Sequence, residues 1–297
     1  MYHICFVILH YLSFDTTKIC IESIRSTIPQ TDHISYHIII VDNASPNNSY
    51  VLLQEHFRQC PDIILLQANN NLGFAKGNNI GYRYALDKLH ADFIIIANND
   101  TEFTQPAFLE DMLQIYEQTS CALIGPDIFN AGGYHQNPYR THTITRRELS
   151  HWIRNRRIWL IFLSMDNCLH LTSKISFFRK FYDRRAAAGR PDQSWMTEQA
   201  DVVLHGACIV FTPLFTKSCP EYAFYPDTFL YCEEDILALL CTRKGLSICY
   251  NPKLQVVHKE SVSTNLSHAS QWEKDFFFTR NILKSLKILK KLWNQSF

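Results

Sequence analysis

The chain has 297 residues, 46% of them hydrophobic and 13% aromatic, with a formal net charge of +1. Such a composition excludes a disordered chain, and the near-zero charge removes any bulk pull toward nucleic acid or an acidic partner, so no nucleic-acid partner is expected. Ten cysteines, scattered singly without a CxxC pair, read as buried thiols of a reducing compartment and not as zinc ligands or a disulfide framework.

In chain order, the apolar run Ile4 to Leu9 predicts a first strand. It lacks a basic flank and a cleavage site, and no run reaches the ~18 residues of a spanning helix, so the chain reads as cytoplasmic. A helix is expected over Thr16 to Ser26, a strand over His37 to Val41, and a helix over Tyr50 to Arg58, opened by a Ser45-Pro46 turn and stopped before Pro61. Strand Ile63 to Gln67, helix Asn78 to Leu89 and strand Phe93 to Ala97 continue the rhythm. Buried strands alternating with helices of ten or so residues predict an α/β fold with a mostly parallel central sheet covered on both faces.

From Phe129 to Gln199 the rhythm breaks down. The segment carries Arg140, Arg146, Arg147, Arg154, Arg156, Arg157, Lys174, Arg179, Lys180, Arg184, Arg185 and Arg190 around the apolar run Ile158 to Leu163. It is expected to be a basic, mainly helical insert that faces an acceptor or a membrane. Regular structure resumes with Val202 to Thr212, and a helix is expected near Trp272 to Trp293. There Ile282, Leu286, Leu289 and Trp293 alternate with Lys284, Lys287, Lys290 and Lys291, a pattern that suits either an anionic membrane interface or packing against the body.

Ligands of open α/β sheets bind beyond the carboxyl ends of the strands, and those ends are polar here. The second expected strand ends in Val41-Asp42-Asn43-Ala44-Ser45, where Asp42 can accept hydrogen bonds from a base or ribose, or close an Asx turn. Asn71-Leu72-Gly73-Phe74-Ala75-Lys76-Gly77-Asn78-Asn79 opens a helix whose free amides and Lys76 can face a diphosphate; it is neither a GxGxxG nor a Walker loop. Asn98-Asn99-Asp100 offers a carboxylate suited to Mg²⁺ or Mn²⁺, or to an ordinary cap. Glu233-Glu234-Asp235 can supply a general base or merely the acidic first turn of a helix. His258 follows an apolar run and is either a further metal ligand or a packed side chain.

Taken in order, these pieces, with Gly206-Ala207, Phe229-Leu230-Tyr231 and Arg243-Lys244-Gly245, resemble the family 2 glycosyltransferases of GT-A fold, in particular a bacterial rhamnosyl- and galactofuranosyltransferase-like branch. The resemblance covers about residues 3 to 128 and 201 to 264. It implies a donor-binding half at 1–128, a variable basic insert at 129–200, a catalytic and acceptor half at 201–270 and a C-terminal amphipathic helix at 271–297. Asp42, Asn43 and Ser45 would lie at the nucleoside, and Asn71, Gly73 and Asn78 would shape the donor loop. Asp100 and His258 would hold Mg²⁺ or Mn²⁺, with Asn98 standing where the usual motif has its first acid.

The base would be Glu234 by register from Tyr231, or Asp235 by residue type. The implied partners are a nucleotide-diphosphate sugar donor and a glycan or lipid-linked saccharide acceptor, with peripheral contact at the inner face of a membrane. The activity implied is inverting hexosyl or deoxyhexosyl transfer in cell-surface polysaccharide synthesis. A sugar-nucleotide-binding partner without turnover is the alternative of a different class.

Overall fold

Strands β1 (Tyr2–His10), β2 (Ile34–Asp42), β3 (Ile63–Gln67) and β4 (Phe93–Asn98) are mutually parallel in the order β3-β2-β1-β4. They belong to a computed structural model that describes residues 1–169, 194–259 and 271–295. The expectations attached to Lys174, Arg179, Lys180, Arg184, Arg185 and Arg190 fall outside those residues.

Period-2 alternation sends β1 to both faces at once. Ile4, Phe6 and Ile8 pack with Ile21 and Ile24 of helix α1 (Phe14–Thr27), Leu53 of α2 (Ser49–His56) and Met112 of α4 (Phe108–Thr119). Cys5 and Val7 pack with Ala75, Tyr82 and Ala85 of α3 (Gly73–Asp87) on the opposite face. Both faces being covered explains why these strands read as continuous aliphatic runs. Gly81 lets α3 lie close on the sheet, because a Cβ there would come within 2.4 Å of the Val7 side chain.

The second half is woven differently, and local sequence pattern does not announce it. Beyond β4 the sheet continues through β8 (Cys208–Phe211), β6 (Leu123–Phe129), β9 (Ile248–His258) and the two-residue β5 (Thr101–Glu102). The β4–β8, β8–β6 and β9–β5 pairings are antiparallel, while β6 and β9 are parallel with a register shift between Pro126 and Asp127. A short β7 (Gln199–Ala200) pairs with β9, and α6 (Pro213–Ser218) follows β8. The parallel half is thus joined to a mixed half, and β5 brings the chain just after β4 against the end of β9.

Within the basic segment, residues 146–169 form one long helix, α5 (Arg146–Leu169), which packs on the C-terminal helix α8 (Gln271–Asn294). Leu149 and Ile153 of α5, Ile236 and Leu239 of α7 (Glu233–Lys244), and Leu283, Leu286, Leu289 and Leu292 of α8 make a third buried cluster. This corrects one expectation. Leu286 and Leu289 are fully buried, and Ile282 and Trp293 pack against the same cluster, so the apolar stripe of α8 is used inside the fold and is not free for a membrane. Lys284, Lys287, Lys290 and Lys291 stay exposed. Among the described residues no helix is long and apolar enough to cross a membrane.

Candidate functional site

Asp42 closes β2, and its side chain is fully buried. Both its oxygens accept the Ser45 N–H at 3.3 Å, and Oδ2 accepts Gln67 Nε2 at 3.2 Å. The turn-forming reading of Asp42 is therefore realised, with the carboxylate held beneath the rim while Ser45 Oγ accepts the Leu12 N–H at 2.9 Å. Behind Asp42 lies His10, which the motif reading passed over. Its ring contacts Thr17 Oγ1 at 2.7 Å and Ser49 Oγ at 2.8 Å, with Nε2 3.9 Å from Asp42. Burial pushes His10 down to about 4, against the pull of Asp42, so the ring is neutral near pH 7. Asn99 joins this network by donating to Thr17 Oγ1 at 3.0 Å.

Asn43, Asn71 and Gly73 form one loop. Asn43 Oδ1 accepts the Leu72 N–H at 2.9 Å, and its amide donates to Asn71 Oδ1 at 3.1 Å and Gly73 O at 3.2 Å. Gly73 adopts φ +77, and a Cβ there would stand 2.1 Å from Phe229 O. Phe74 N–H donates to that same carbonyl at 2.7 Å, tying the loop to the segment just before the three acids. Asn78 donates to Phe74 O at 3.0 Å, and its buried Oδ1 has no hydrogen-bond partner among the described residues. Asn79 instead braces residues 223 and 224, accepting the backbone N–H of each at 3.0 Å. Lys76 is exposed on the first turn of α3.

Pairing of β5 with β9 sets Thr101 opposite His258 and so brings Asp100 and His258 together. His258 Nε2 lies 3.1 Å from Asp100 Oδ1 and 3.4 Å from Asn98 Nδ2. The other ring nitrogen, Nδ1, meets Gln136 Oε1 at 2.8 Å. Both residues are mostly buried. With the imidazole proton on Nδ1, the Nε2 lone pair and the Asp100 carboxylate would together suit a borderline divalent cation. Among the described residues no third His, Cys, Asp or Glu joins them, so diphosphate oxygens and water would complete such a shell.

The three acids form the first turn of α7, as the capping reading requires. They point different ways. Glu233 is buried against Thr228 and pushed up to about 8, chiefly by burial and then by Glu234. Asp235, also buried, pairs with Arg140. Glu234 is half-buried, and its carboxyl leans on Gly206, where a Cβ would meet Oε1 at 2.7 Å. Burial raises the Glu234 pKa, opposed by the Gly206 N–H and by Arg140.

Residues 205–207 join the two centres. Asn98 N–H and Thr101 Oγ1 both donate to Ala207 O, at 2.9 and 3.1 Å, and the His205 ring is 5.7 Å from the His258 ring. Glu234 therefore borders this short segment at Gly206, and the Asp100–His258 pair borders it through His205 and the strand ends bonded to Ala207. Gln136, Arg140 and His205 lie on irregular backbone without a motif; sequence reasoning named neither Gln136 nor His205, and it read Arg140 only as part of a basic segment facing an acceptor or a membrane, whereas the fold turns it inward onto Asp235.

The model for "Glycosyl transferase family 2" matches residues 5–186, running past residue 128 into the basic segment. The low-salt glycan biosynthesis hexosyltransferase Agl10 of Haloferax volcanii is 28% identical over 95 residues, which is 32% of this chain and 29% of that protein. The match thus spans under a third of the archaeal relative. Crystal structures of S. aureus TarS 1-349 in complex with UDP and with UDP-GlcNAc align at 11% identity with TM-scores of 0.56 and 0.57. Each alignment covers 100% of this chain, and 67% and 68% of the TarS chains respectively. At that identity the likeness is one of fold, a central sheet flanked by helices in the GT-A arrangement. Together with the family match over most of the chain, it shows that this protein belongs to glycosyl transferase family 2.

Proposed function

We propose that the chain is an inverting transferase that moves a sugar from a nucleotide diphosphate to a hydroxyl of a glycan or lipid-linked saccharide in cell-surface polysaccharide synthesis. The observation that carries this reading is the convergence of Asp100, His258 and Glu234 around residues 205–207. In the transfer, the acceptor oxygen bonds to the anomeric carbon as the bond from that carbon to the diphosphate oxygen breaks, its electron pair leaving with the diphosphate. Glu234 takes the proton of the attacking hydroxyl, for which a carboxyl raised toward neutrality by burial is well matched.

Asp100 and His258 would hold Mg²⁺ or Mn²⁺, which when bound supplies positive charge against the leaving diphosphate. The Asn43–Asn71–Gly73 loop and the rim above Asp42 and Ser45 would receive the nucleoside, and Asn78 and Asn98 would line the diphosphate side. The archaeal relative is named a hexosyltransferase and the TarS complexes hold UDP and UDP-GlcNAc, so UDP-hexoses are the first donors to try.

A screen of nucleotide sugars for thermal stabilisation with and without Mn²⁺, followed by assay of nucleoside diphosphate release, tests the reading. Stabilisation with release supports it; stabilisation without release from any acceptor mixture would make the chain a binding partner and not a transferase.

The basic segment supports peripheral contact with an anionic membrane. On α5, Ile158 and Ile161 are each 61% exposed and Met165 is 51% exposed, in line with exposed Arg147, Arg154 and Arg157. A basic stretch followed by an apolar stretch on one helix face suits a headgroup layer over acyl chains.

A further inference from the structure

Asp235 belongs to the acidic triplet, yet the fold gives it a partner that neither Glu233 nor Glu234 has. Arg140 reaches it from the irregular segment after β6, and both side chains are largely buried. The guanidinium is held from several sides. Its carbon lies 5.3 Å from the Tyr139 ring centre and 4.9 Å from that of Trp152 on α5. Its backbone is fixed by a two-way bridge to Val203, with Arg140 N–H donating to Val203 O at 3.2 Å and Val203 N–H to Arg140 O at 2.8 Å. Val203 leads into His205 and Gly206, the ground on which Glu234 rests, and His205 N–H is anchored to Asn137 Oδ1 at 3.0 Å.

We propose that Arg140 is a positioning residue for sugar transfer, clamping Asp235 as its counter-ion so that Glu234 alone of the three acids is presented as the base. The inference rests on the reading of Glu234 as base and adds the residue that makes the choice. A planar guanidinium packed against two rings and paired with one carboxylate fixes direction as well as charge, which a lysine ammonium cannot reproduce. Glu233 is turned toward Thr228, Asp235 is tied to Arg140, and the remaining acid borders Gly206. The charged and titratable groups around Glu234 are Glu233 and Asp235 on its own helix, Arg140 and Tyr139 from the segment after β6, and Arg156 of α5 close to Tyr139 and Cys232. Of these, Arg140 is the cation that holds the Glu234 carboxyl down against burial.

The test is ¹³C NMR of the full chain labelled at glutamate carboxyls, with Glu234 assigned through Glu234→Gln, and the pH profile of nucleoside diphosphate release from UDP-GlcNAc and other UDP-hexoses. Arg140→Met leaves Asp235 buried without a counter-ion and is prone to misfold, so Arg140→Met/Asp235→Asn, which removes both charges together, accompanies it. Compared with Asp235→Asn alone, the double variant should raise the Glu234 midpoint by at least about half a unit and move the acid limb of turnover up with it, and compared with wild type its turnover should fall about tenfold or more with donor KM little changed. Arg140→Lys should restore the midpoint more than the turnover. A folded double variant whose Glu234 midpoint and acid limb match those of Asp235→Asn overturns the inference. Near-normal turnover by Glu234→Gln removes Glu234 as base instead, whatever Arg140 does to the midpoint.

Discussion

His258 Nε2 stands 3.1 Å from Asp100 Oδ1 because a two-residue strand just after Asp100 pairs with the last residues of β9. Two side chains from distant parts of the chain, proposed to hold the cation, thus meet through one backbone ladder. Gln136 braces the ring from behind through its 2.8 Å contact with Nδ1. Asp100→Ala should abolish Mn²⁺-dependent stabilisation by a nucleotide sugar, removing about 2.7 kcal/mol at a donor concentration a hundred times its Kd. Gln136→Leu should weaken Mn²⁺ about ten- to a hundredfold while keeping both ligands. Thermal shifts in Mn²⁺ titrations read both effects; unchanged Mn²⁺ dependence in Asp100→Ala would remove the pair from the donor site.

Gly73 couples the Asn43–Asn71–Gly73 loop to the acidic turn. Its φ of +77 is open to glycine, and an added methyl would press on the Phe229 carbonyl, a backbone atom that cannot swing aside. Gly73→Ala should cost about 1–3 kcal/mol in urea unfolding and lower turnover by more than that stability loss implies, because Phe229 leads directly to the acidic turn proposed to carry the base. Turnover and stability both at wild-type levels would show the two loops to be independent.

Two buried groups pull the pH dependence of stability in opposite directions. His10 titrates at about 4 in the fold and near 6.5 in the unfolded chain, so between those values the unfolded chain holds the extra proton. Stability therefore falls as pH drops through that window, by about 3 kcal/mol when complete. Glu233, raised to about 8 chiefly by burial, is protonated in the fold where an unfolded glutamate is not. Its contribution is present at acid pH and is lost as pH rises toward 8. Urea unfolding from pH 4 to 8.5 should show the acid-side decline flattened in His10→Gln and the alkaline-side decline flattened in Glu233→Gln. Slopes that neither substitution alters would place the titrations elsewhere.

How much of this was legible follows from where each signal resides. The parallel half was readable because strands covered on both faces must be apolar throughout, and Ile4 to Leu9 and Phe93 to Ala97 are. Polar residues at the ends of those strands marked the rim, and the Asp100 and His258 assignments named a pair that the fold brings into contact. The antiparallel pairing of β8 and the contact of β5 with β9 are non-local and carry no period. Gln136, Arg140 and His205 act through irregular backbone, where no spacing rule identifies a partner. Asp42 was read for its position, and only the fold shows its carboxylate turned inward onto Ser45 and Gln67.

The C-terminal helix illustrates how one amphipathic pattern serves two ends, and the fold changes which experiment separates them. Ending the chain at Phe278 would remove Leu283, Leu286, Leu289 and Leu292, all buried against α5 and α7. Burial of a leucine side chain is worth roughly 1.5–3 kcal/mol, so four, about 6–12 kcal/mol together, match the whole margin of about 5–15 kcal/mol of a typical domain, and the shortened chain should be severely destabilised. Lipid binding is better tested with the helix intact. Ile158→Ser/Ile161→Ser changes only exposed side chains of α5 and should leave the melting temperature within a few degrees. In co-sedimentation with phosphatidylglycerol vesicles at low salt it should pellet several-fold less than wild type, whereas Lys284→Ala/Lys287→Ala on α8 should weaken binding far less. Equal pelleting of wild type and the α5 variant would leave this face without a role at the membrane, and loss confined to the α8 variant would move the contact to the lysines of the C-terminal helix.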